Sequence, residues 1–562
     1  MIRDQLALLT KNAIQAAQAA GELPAFDIPE IPIDRPQRPE LGDYSSPVAM
    51  KLASAARRAP LQIAQAIARR LAADPAISKV ETVAPGFINF RLSAEWLQGQ
   101  VRQILAAGSA YGNLTVGAGQ RVQVEHISAN PTGPLTVGSA RNAAIGDTLV
   151  RILQAAGYQV ETEYYINDAG SQIRHFGASV YARYAQAAGR DEPFPEDGYK
   201  GEYVEQIGRE LLSQYGPKYL DLPRDEALRA LGRLGIDKML ELIRATTARL
   251  RVHMDSWFSE RSLYERGLFD QVLKILQDRD LIHTSQGATW FTATRLGLEK
   301  DAVLIRSPEV IPEPSERPTY LASDVAYVWN KLVERGFARA IYVWGADHHG
   351  DLPRVLAAAR ALGLDDKRLN ILLYQLVVLK RGGELVRMSK RAGDFVTLDE
   401  LLDEIGADAV RFLLITRSAD SMMELDLQLA KEQSLENPVY YVQYSHARIA
   451  SILRHAAEVG LSGEGGNVAL LVHPAELDLI RVMTRFEEVV KLAAERLEPH
   501  HLPPYVMELA SVFNAFYRDC RVVSSDPADA EISRARLVLA AAAKQVLARA
   551  LDLMGVSAPE SM

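Results

Sequence analysis

Apolar side chains recur every three or four positions at the start of the chain. This spacing predicts one buried stripe of a soluble helix, formed by Ile2, Leu6, Leu9, Ala13 and Ala17. A proline-rich stretch at 24–39 follows, and the apolar segment 86–92 comes after it. The pattern predicts a small α+β domain over residues 1–110, followed by a glycine-containing linker at 108–119.

From residue 121 onward, strand-like segments alternate with helical ones. Strands are predicted at 121–128, 158–165, 340–344 and 371–379, and helices after Gly138, near 323–334 and near 351–362. Alternation of this kind favours an α/β domain with a doubly wound parallel sheet. We assign residues 118–415 to that domain, with a mixed, partly helical insertion at about 170–315.

The last part of the chain has almost only helical periodicity. Long amphipathic stretches are predicted at 432–459, 475–497, 503–520 and 531–554. Residues 416–562 are therefore expected to form an all-α helical bundle.

Composition narrows the possible chemistry. The single cysteine, Cys520, excludes an intramolecular disulfide and a zinc site built from several thiolates. The adjacent His348 and His349 lack a nearby set of carboxylates or cysteines, so neither protein-bound zinc nor any other resident metal is expected. A net charge of −8 means that nucleic acid would be held by local groups of Lys and Arg. Without a long apolar run at its start, the chain is expected to be cytoplasmic and free of membrane contact.

The first predicted strand is joined to the next helix by a turn with two prolines and two glycines. This turn runs through Glu125-His126-Ile127-Ser128-Ala129-Asn130-Pro131-Thr132-Gly133-Pro134-Leu135-Thr136-Val137-Gly138-Ser139. Backbone N–H groups and the positive helix end after such a turn can face a phosphate. The same turn could also be only a connector.

Ser-Ala-Asn-Pro-Thr-Gly-Pro-Leu, followed by Val-Gly and Ala-Arg, resembles the signature region of arginyl-tRNA synthetases, a class I family, and the resemblance extends over essentially the whole chain. It implies a Rossmann-like catalytic domain that activates L-arginine with ATP and Mg²⁺ and transfers it to the 3′ end of tRNA(Arg), releasing AMP and pyrophosphate. The family's His-x-Gly-His is replaced here by Thr136-Val137-Gly138-Ser139. A non-catalytic RNA-binding relative therefore stays open as an alternative.

By this resemblance, Thr136, Gly138 and Ser139 are the catalytic residues of the turn, with both hydroxyls standing in for the histidines. Pro131, Gly138 and Asn142 are expected to bind ATP. Other class I enzymes fit less well, because a cysteinyl enzyme needs zinc-binding cysteines and the branched-chain enzymes carry a large editing insertion.

A second basic segment at 384–394 resembles the Lys-Met-Ser-Lys-Ser loop of class I synthetases. Its cationic side chains could close over a triphosphate and neutralise the leaving pyrophosphate. The resemblance implies that Lys390 is catalytic and that Met388 and Ser389 contact ATP. Alone, the segment could equally be an exposed basic loop.

An arginine site must offer a carboxylate to the planar guanidinium, because a bidentate pair supplies both charge and geometry. The resemblance assigns Tyr320 and Asp324 to the guanidinium. It assigns the rest of the amino acid to Glu125, Ser128, Asn130 and His348, and the adenosine to Gly345 and Asp347.

RNA contacts are expected at both ends of the chain. Aromatic faces stack on unpaired bases and arginines reach phosphates, which suits Tyr441, Tyr444 and Arg448. The resemblance adds Met562 at the chain end and, in a domain that contacts the D-loop of tRNA, Phe87 and Asn89. The expected partners are tRNA(Arg), L-arginine and ATP, and the chain is expected to act as a monomer.

Overall fold

The computed structural model describes residues 1–36, 38–386 and 396–562. The first region combines helices and short strands, as the sequence predicts. Its elements are α1 (Ile2–Ala19), β1 (Tyr44–Ser46), α2 (Val48–Ala56), α3 (Pro60–Arg70), β2 (Ile77–Val83), β3 (Phe87–Leu92) and α4 (Ala94–Ala107). The strands form an antiparallel sheet in the order β1-β3-β2. Of the predicted stripe, Ile2, Leu6, Ala13 and Ala17 are buried and Leu9 is half-buried, which confirms it.

Strands and helices alternate through the middle of the chain. The elements are β4 (Arg121–Glu125), α5 (Val137–Ala155), β5 (Gln159–Ile166), α6 (Ser171–Ala187), α7 (Glu202–Tyr215), α8 (Arg224–Arg249), β6 (Ser256–Ser259), α9 (Arg261–Glu265), α10 (Leu268–Asp278), β7 (Ile282–Ser285), β8 (Ala288–Phe291), β9 (Ala302–Ile305), α11 (Tyr320–Trp329), β10 (Arg339–Gly345), α12 (Leu352–Ala361), β11 (Leu369–Tyr374), β12 (Val377–Arg381) and β13 (Glu384–Leu385).

A five-stranded parallel sheet in the order β11-β10-β4-β5-β6 forms the centre of this region. The α/β class with a parallel sheet is thereby confirmed. The chain leaves β4 toward β5 on one side and later returns to β10 on the other. The crevice at the carboxyl ends of β4 and β10 is therefore the topological switch point, where open α/β sheets bind ligands.

The segment 170–315 contains both helices and strands, and it also supplies part of the central sheet. Helices α6, α7 and α8 share a separate apolar core, while β7, β8 and β9 form a small antiparallel sheet. Strand β6 lies inside the same segment and pairs with β5 at the edge of the parallel sheet.

The predicted strand 371–379 is two strands in two sheets. Strand β11 ends at Tyr374 in the parallel sheet, and β12 begins at Val377 in a small sheet with β13 and β14 (Met423–Asp426). Between them, the Gln375 carbonyl accepts a hydrogen bond from Arg141 at 2.7 Å. The apolar run hides this break, because Leu376 inside the break is apolar although its side chain is exposed.

The remaining elements are helical. They are α13 (Leu398–Leu413), followed after β14 by α14 (Leu427–Lys431), α15 (Pro438–Glu458), α16 (Pro474–Thr484), α17 (Phe486–Arg496), α18 (Leu502–Asp519) and α19 (Ala530–Leu553). The predicted helix 475–497 is divided at Arg485, and the predicted helix 432–459 begins only at Pro438. The C-terminal bundle is confirmed as all-α apart from β14 at its beginning.

Candidate active site at the switch point

The turn after β4 has an unusual backbone. The predicted strand 121–128 ends at Glu125, because Ile127 and Ser128 adopt positive φ angles of 69° and 40°. Such angles are unfavourable for residues with a side chain, above all for a β-branched one, and persist only when neighbours hold them. The Ile127 N–H donates to Asn142 Oδ1 at 2.5 Å, and the Tyr165 N–H donates to Ser128 Oγ at 3.1 Å.

Asn142 joins the two strands that border the crevice. It is buried on α5, and its Nδ2 donates to the Val343 carbonyl on β10 at 2.8 Å while its Oδ1 holds Ile127. Both polar atoms of the Asn142 side-chain amide, a residue predicted to bind ATP, thus have partners inside the protein. In this structure Asn142 fixes the shape of the turn.

The middle of the turn is held by groups from other elements. The Tyr164 hydroxyl donates to the Ala129 carbonyl at 2.7 Å, and the Tyr203 hydroxyl, on α7, donates to the Thr132 carbonyl at 2.8 Å. Asn130 Oδ1 accepts from Asn167 Nδ2 at 3.1 Å. Pro131 is buried beside them.

The N-terminus of α5 opens onto the crevice. The Thr136 N–H donates to Ser139 Oγ at 3.4 Å, and the first turn contains no acidic residue. A Cβ added at Gly138 would meet only Thr136 Oγ1, at 3.7 Å, so nothing else crowds this position. A helix N-terminus whose first turn carries no negative charge, with free space in front of it, favours an anion such as a phosphate.

A buried histidine fixes how closely α5 approaches β4. A Cβ added at Gly146 would lie 2.4 Å from the His126 ring, so only glycine permits this packing. Burial lowers the pKa of His126 to about 4, which leaves the ring neutral at physiological pH. His126 thus packs against the helix and adds no charge to the crevice.

The chain lies beside the first turn just after the second basic segment. Met388, Ser389 and Lys390 lie outside the described residues, but Thr397 just beyond them forms an antiparallel bridge with Thr136. The Leu398 N–H donates to the Leu135 carbonyl at 2.7 Å. This contact attaches the start of α13, which follows the second segment, to the start of α5.

Tyr320 and Asp324 lie one turn apart on α11, facing the crevice. The Tyr320 side chain is 60% exposed, and its hydroxyl accepts a hydrogen bond from Gln172 Nε2 at 2.9 Å. Burial, followed by the nearby Glu260 and Glu125 carboxylates, raises the pKa of Asp324 well above its usual range. A cation bound here would relieve that repulsion.

Glu260 is a second carboxyl group of this pocket that the sequence interpretation missed. It follows β6, is buried, and accepts a hydrogen bond from the Ser323 hydroxyl, which also contacts the Tyr264 hydroxyl at 2.7 Å. Burial raises its pKa to about 7. The carboxyl end of β6 would have indicated Glu260, had β6 been recognised as a strand of the parallel sheet.

Glu125 and Ser128 border the crevice from the β4 side. Glu125 Oε2 lies 2.5 Å from Lys331 Nζ, and Glu125 Oε1 accepts from Ser128 Oγ at 3.2 Å. One oxygen of Glu125 therefore has an internal cation as its partner, and the other is shared with a serine at the crevice.

The turn after β10 forms the third side of the crevice. Asp347 and His348 are exposed, and His348 Nδ1 lies 3.4 Å from Asp351 Oδ2. Gly345 permits this turn, because a Cβ there would lie 2.3 Å from Asp347 Oδ1. The three predicted residues are thus placed at the carboxyl end of β10, next to the crevice.

The predicted RNA contacts lie on two surfaces. On α15, Tyr440 and Tyr444 stack with ring centroids 5.9 Å apart, and the Arg448 guanidinium lies 4.8 Å from the Tyr444 centroid. Tyr441 instead accepts a hydrogen bond from Asn514, at 3.1 Å. Met562 is exposed, Phe87 is half-buried, and the buried Asn89 accepts from Ser45 Oγ at 2.6 Å.

One group of the described residues has ligand atoms close enough to share a metal ion: Glu498, His500 and His501. His501 Nε2 and Glu498 Oε2 already pair at 2.8 Å, and Arg417 and Arg496 line the neighbouring cavity of about 200 Å³. Two guanidinium groups beside this cluster disfavour a bound cation. Among the described helices, none combines the length and apolar character needed to cross a membrane.

Comparison with known families identifies the class of the protein. Residues 100–452 match the family model described as tRNA synthetases class I (R), catalytic domain, so the fold and site define a class I aminoacyl-tRNA synthetase. Residues 5–92 match the arginyl tRNA synthetase N terminal domain, and residues 442–562 match the DALR anticodon binding domain.

Similar proteins match this chain over nearly its full length. An arginine–tRNA ligase of Dehalococcoides mccartyi is 48% identical over 98% of this chain and 97% of its own. One from Carboxydothermus hydrogenoformans is 44% identical over the same shares. The arginyl-tRNA synthetase structure of Thermus thermophilus covers all of both chains at 26% identity and a TM-score of 0.77. The chain belongs to the arginyl-tRNA synthetase family.

Proposed function

We propose that the switch-point crevice carries out arginine–tRNA ligation, the reaction for which the relatives are named. The observation that carries this proposal is the acidic pocket around Asp324. Lys331, whose charge also reaches Asp324, is paired with Glu125, and this leaves Asp324 and Glu260 to attract a cationic side chain. A guanidinium offers the planar array of donors that such carboxyl groups accept.

ATP would enter as its Mg²⁺ complex on the other side of the crevice. Its phosphates would face the open N-terminus of α5 at Thr136, Gly138 and Ser139, because the backbone N–H groups there can donate to them. Gly345 and Asp347 would border the adenosine, with Pro131 beneath the turn. Lys390, on the segment outside the described residues, would approach the pyrophosphate.

The reaction then needs two displacements. The arginine carboxylate attacks the α-phosphorus of ATP, forming arginyl-adenylate while pyrophosphate leaves. A terminal ribose hydroxyl of tRNA(Arg) next attacks the arginyl carbonyl carbon, and AMP leaves. The protein contributes mainly alignment and charge stabilisation, and no covalent enzyme intermediate is needed.

The RNA would lie along the two ends of the chain. On α15, the stacked Tyr440 and Tyr444 rings with Arg448 above them form a surface suited to unpaired anticodon bases. On the N-terminal domain, Phe87 is a better candidate for an RNA contact than Asn89, because the Asn89 amide oxygen already has a partner inside the protein. We also propose that the protein acts as a monomer in the cytoplasm. This compartment is reducing, so the single buried Cys520 stays a free thiol there.

Asp324→Asn tests the arginine pocket. We expect the KM for arginine to rise by about a hundredfold, because removing a charged partner of a guanidinium costs roughly 3 kcal/mol. The KM for ATP should stay within about twofold. Aminoacylation of tRNA(Arg) at varied arginine and ATP gives both constants, and Asp270→Asn on the exposed face of α10 is the matched control. An unchanged KM for arginine would mean that the guanidinium binds away from Asp324.

Ser139→His tests whether the hydroxyls serve in place of the family's histidines. We expect the rate of ATP–pyrophosphate exchange with tRNA(Arg) present to change by less than about tenfold, because the α5 N-terminus already supplies donors. A rise of about a hundredfold, the size expected for adding one missing donor to the transition state, would show that the native site is impaired.

A further inference from the structure

Lys331 is a fully buried lysine in a π-helical turn, Asn330–Glu334, that directly continues α11. Its Nζ lies 2.5 Å from Glu125 Oε2. It also lies 3.9 Å from the ring centroid of Tyr327 and 3.7 Å from that of Tyr342. Burying an ammonium costs several kcal/mol unless it is paired. An apolar residue would fill this space without that cost, which suggests that the charge itself has a use.

The position of Lys331 links it to both sides of the amino-acid pocket. It lies seven residues after Asp324 along the same helical segment, and π-helical turns are frequent at functional sites. Tyr342 on β10 is the register partner of Glu125 on β4. Lys331 therefore reaches the two strands of the switch point from the interior, beneath the crevice.

We propose that Lys331 is a positioning residue of the arginine site: its ammonium holds Glu125 beside Ser128 at the crevice and balances the negative charge gathered around Asp324. The inference rests on the proposed arginine pocket. Lys331 itself touches no substrate. It acts through Glu125, whose other oxygen is shared with Ser128, and through the electrostatic field at Asp324.

The surrounding charges show why one internal cation matters. The acidic groups that act on Asp324 are Glu260, Glu125 and Asp351, and Lys331 acts in the opposite direction, lowering the Asp324 pKa. Around Lys331 the facing groups are Glu125, Glu163, Arg335, Tyr327 and Tyr342. Without Lys331, repulsion among the carboxylates would raise the pKa of Asp324 further, and a neutral Asp324 binds guanidinium poorly.

Lys331→Met removes the charge and keeps an apolar stem of similar length. We expect the KM for arginine to rise by about tenfold or more, with the KM for ATP within about twofold, because only the amino-acid side loses its support. We also expect the acidic limb of kcat/KM for arginine to move to higher pH. Aminoacylation of tRNA(Arg) between pH 6 and 9 measures both effects, with melting temperature as the check on folding.

Two further variants separate positioning from general stability. Lys331→Gln keeps a hydrogen-bond donor for Glu125 without the charge, so it gives the pH readout even if the Met variant fails to fold. Arg335→Gln is the matched control, since Arg335 pairs with Glu163 at 2.7 Å and with Glu161 in the same charged network. It should leave the arginine KM and its pH dependence unchanged.

The proposal is overturned if folded Lys331 variants keep the native arginine KM and pH profile. It is also overturned if kcat and both KM values change together, or if Arg335→Gln has the same effect as Lys331→Gln. A failure of the underlying pocket is distinguishable, because Asp324→Asn would then leave the arginine KM unchanged. A large effect of Asp324→Asn with none at Lys331 refutes only this inference.

Discussion

Two helix N-termini meet beside the crevice, and they are completed differently. At α13, Thr397 and Glu400 form a capping box: the Thr397 N–H donates to Glu400 Oε2 at 2.7 Å, and the Glu400 N–H donates to Thr397 Oγ1 at 3.1 Å. At α5 the equivalent pair, Thr136 and Ser139, forms a capping box without a carboxylate, in which the Thr136 N–H donates to Ser139 Oγ at 3.4 Å. The two ends touch through the Leu398 N–H and the Leu135 carbonyl.

The difference lies in charge. The first turn of α13 contains Asp399 and Glu400, whereas the first turn of α5 contains no acidic residue. Carboxylates at a helix N-terminus compensate its positive end and satisfy its N–H groups. The α13 end is therefore complete in itself, and the α5 end can take an anion from outside. The two helix ends thus differ at two positions of the first turn, where Asp399 and Glu400 in α13 stand against Gly138 and Ser139 in α5.

The largest effect is expected when the N-terminus of α5 is given the acidic cap of α13. We expect Ser139→Glu to reduce ATP–pyrophosphate exchange with tRNA(Arg) by about a hundredfold or more, because the carboxylate repels the triphosphate and occupies its donors. The melting temperature should stay the same or rise. Ser139→Gln is the neutral control and should lose much less activity. Full activity of Ser139→Glu would mean that the phosphates bind away from α5.

A second test concerns the acidic pocket on the opposite side of the crevice from the open α5 end. The pKa of Glu260 is raised to about 7, so this group loses its proton near neutral pH. We expect the KM for arginine to fall as pH rises from 6 to 8, because Glu260 then adds a negative charge. Glu260→Gln should reduce this trend to the part that Asp324 contributes, and raise the KM at pH 8 by about tenfold.

The same shift predicts the pH dependence of stability. Because folding raises the Glu260 pKa from its usual 4.5, its contribution is fully present below that value and is lost as pH rises through about 7. Urea unfolding between pH 5 and 8 should show a decline that Glu260→Gln reduces. Glu265→Gln on exposed α9 is the control. Identical pH profiles for the native chain and Glu260→Gln would contradict the assignment.

The smallest effect on activity is expected at the capped N-terminus of α13. Thr397→Ala removes the acceptor of the Glu400 N–H and should lower the free energy of unfolding by about 1 kcal/mol. Activity should fall less than in Ser139→Glu, because no phosphate contact is lost. Urea unfolding and aminoacylation measure the two effects. An activity loss as large as that of Ser139→Glu would make the α13 cap part of the reaction rather than a support for it.

Several features were predictable because they depend on neighbours along the chain. The helical spacing of Tyr320 and Asp324 places them on one face of α11, and the alternation of elements predicts a parallel sheet. The Thr-x-x-Glu motif at Thr397 predicts the start of α13. The break in the segment 371–379 was not predictable in this way, because Arg141, from 234 residues earlier, contacts the Gln375 carbonyl there.

By itself, the sequence determined the class of fold, the open character of the α5 end and the candidate residues around it. These follow from periodicity, caps and motifs, which act over a few residues. Only the tertiary structure decided that Asn142 braces the turn, that Glu260 joins the pocket, and that Lys331 pairs with Glu125 across 206 residues. Those contacts depend on strand order and on burial of charge, and both are properties of the packed chain.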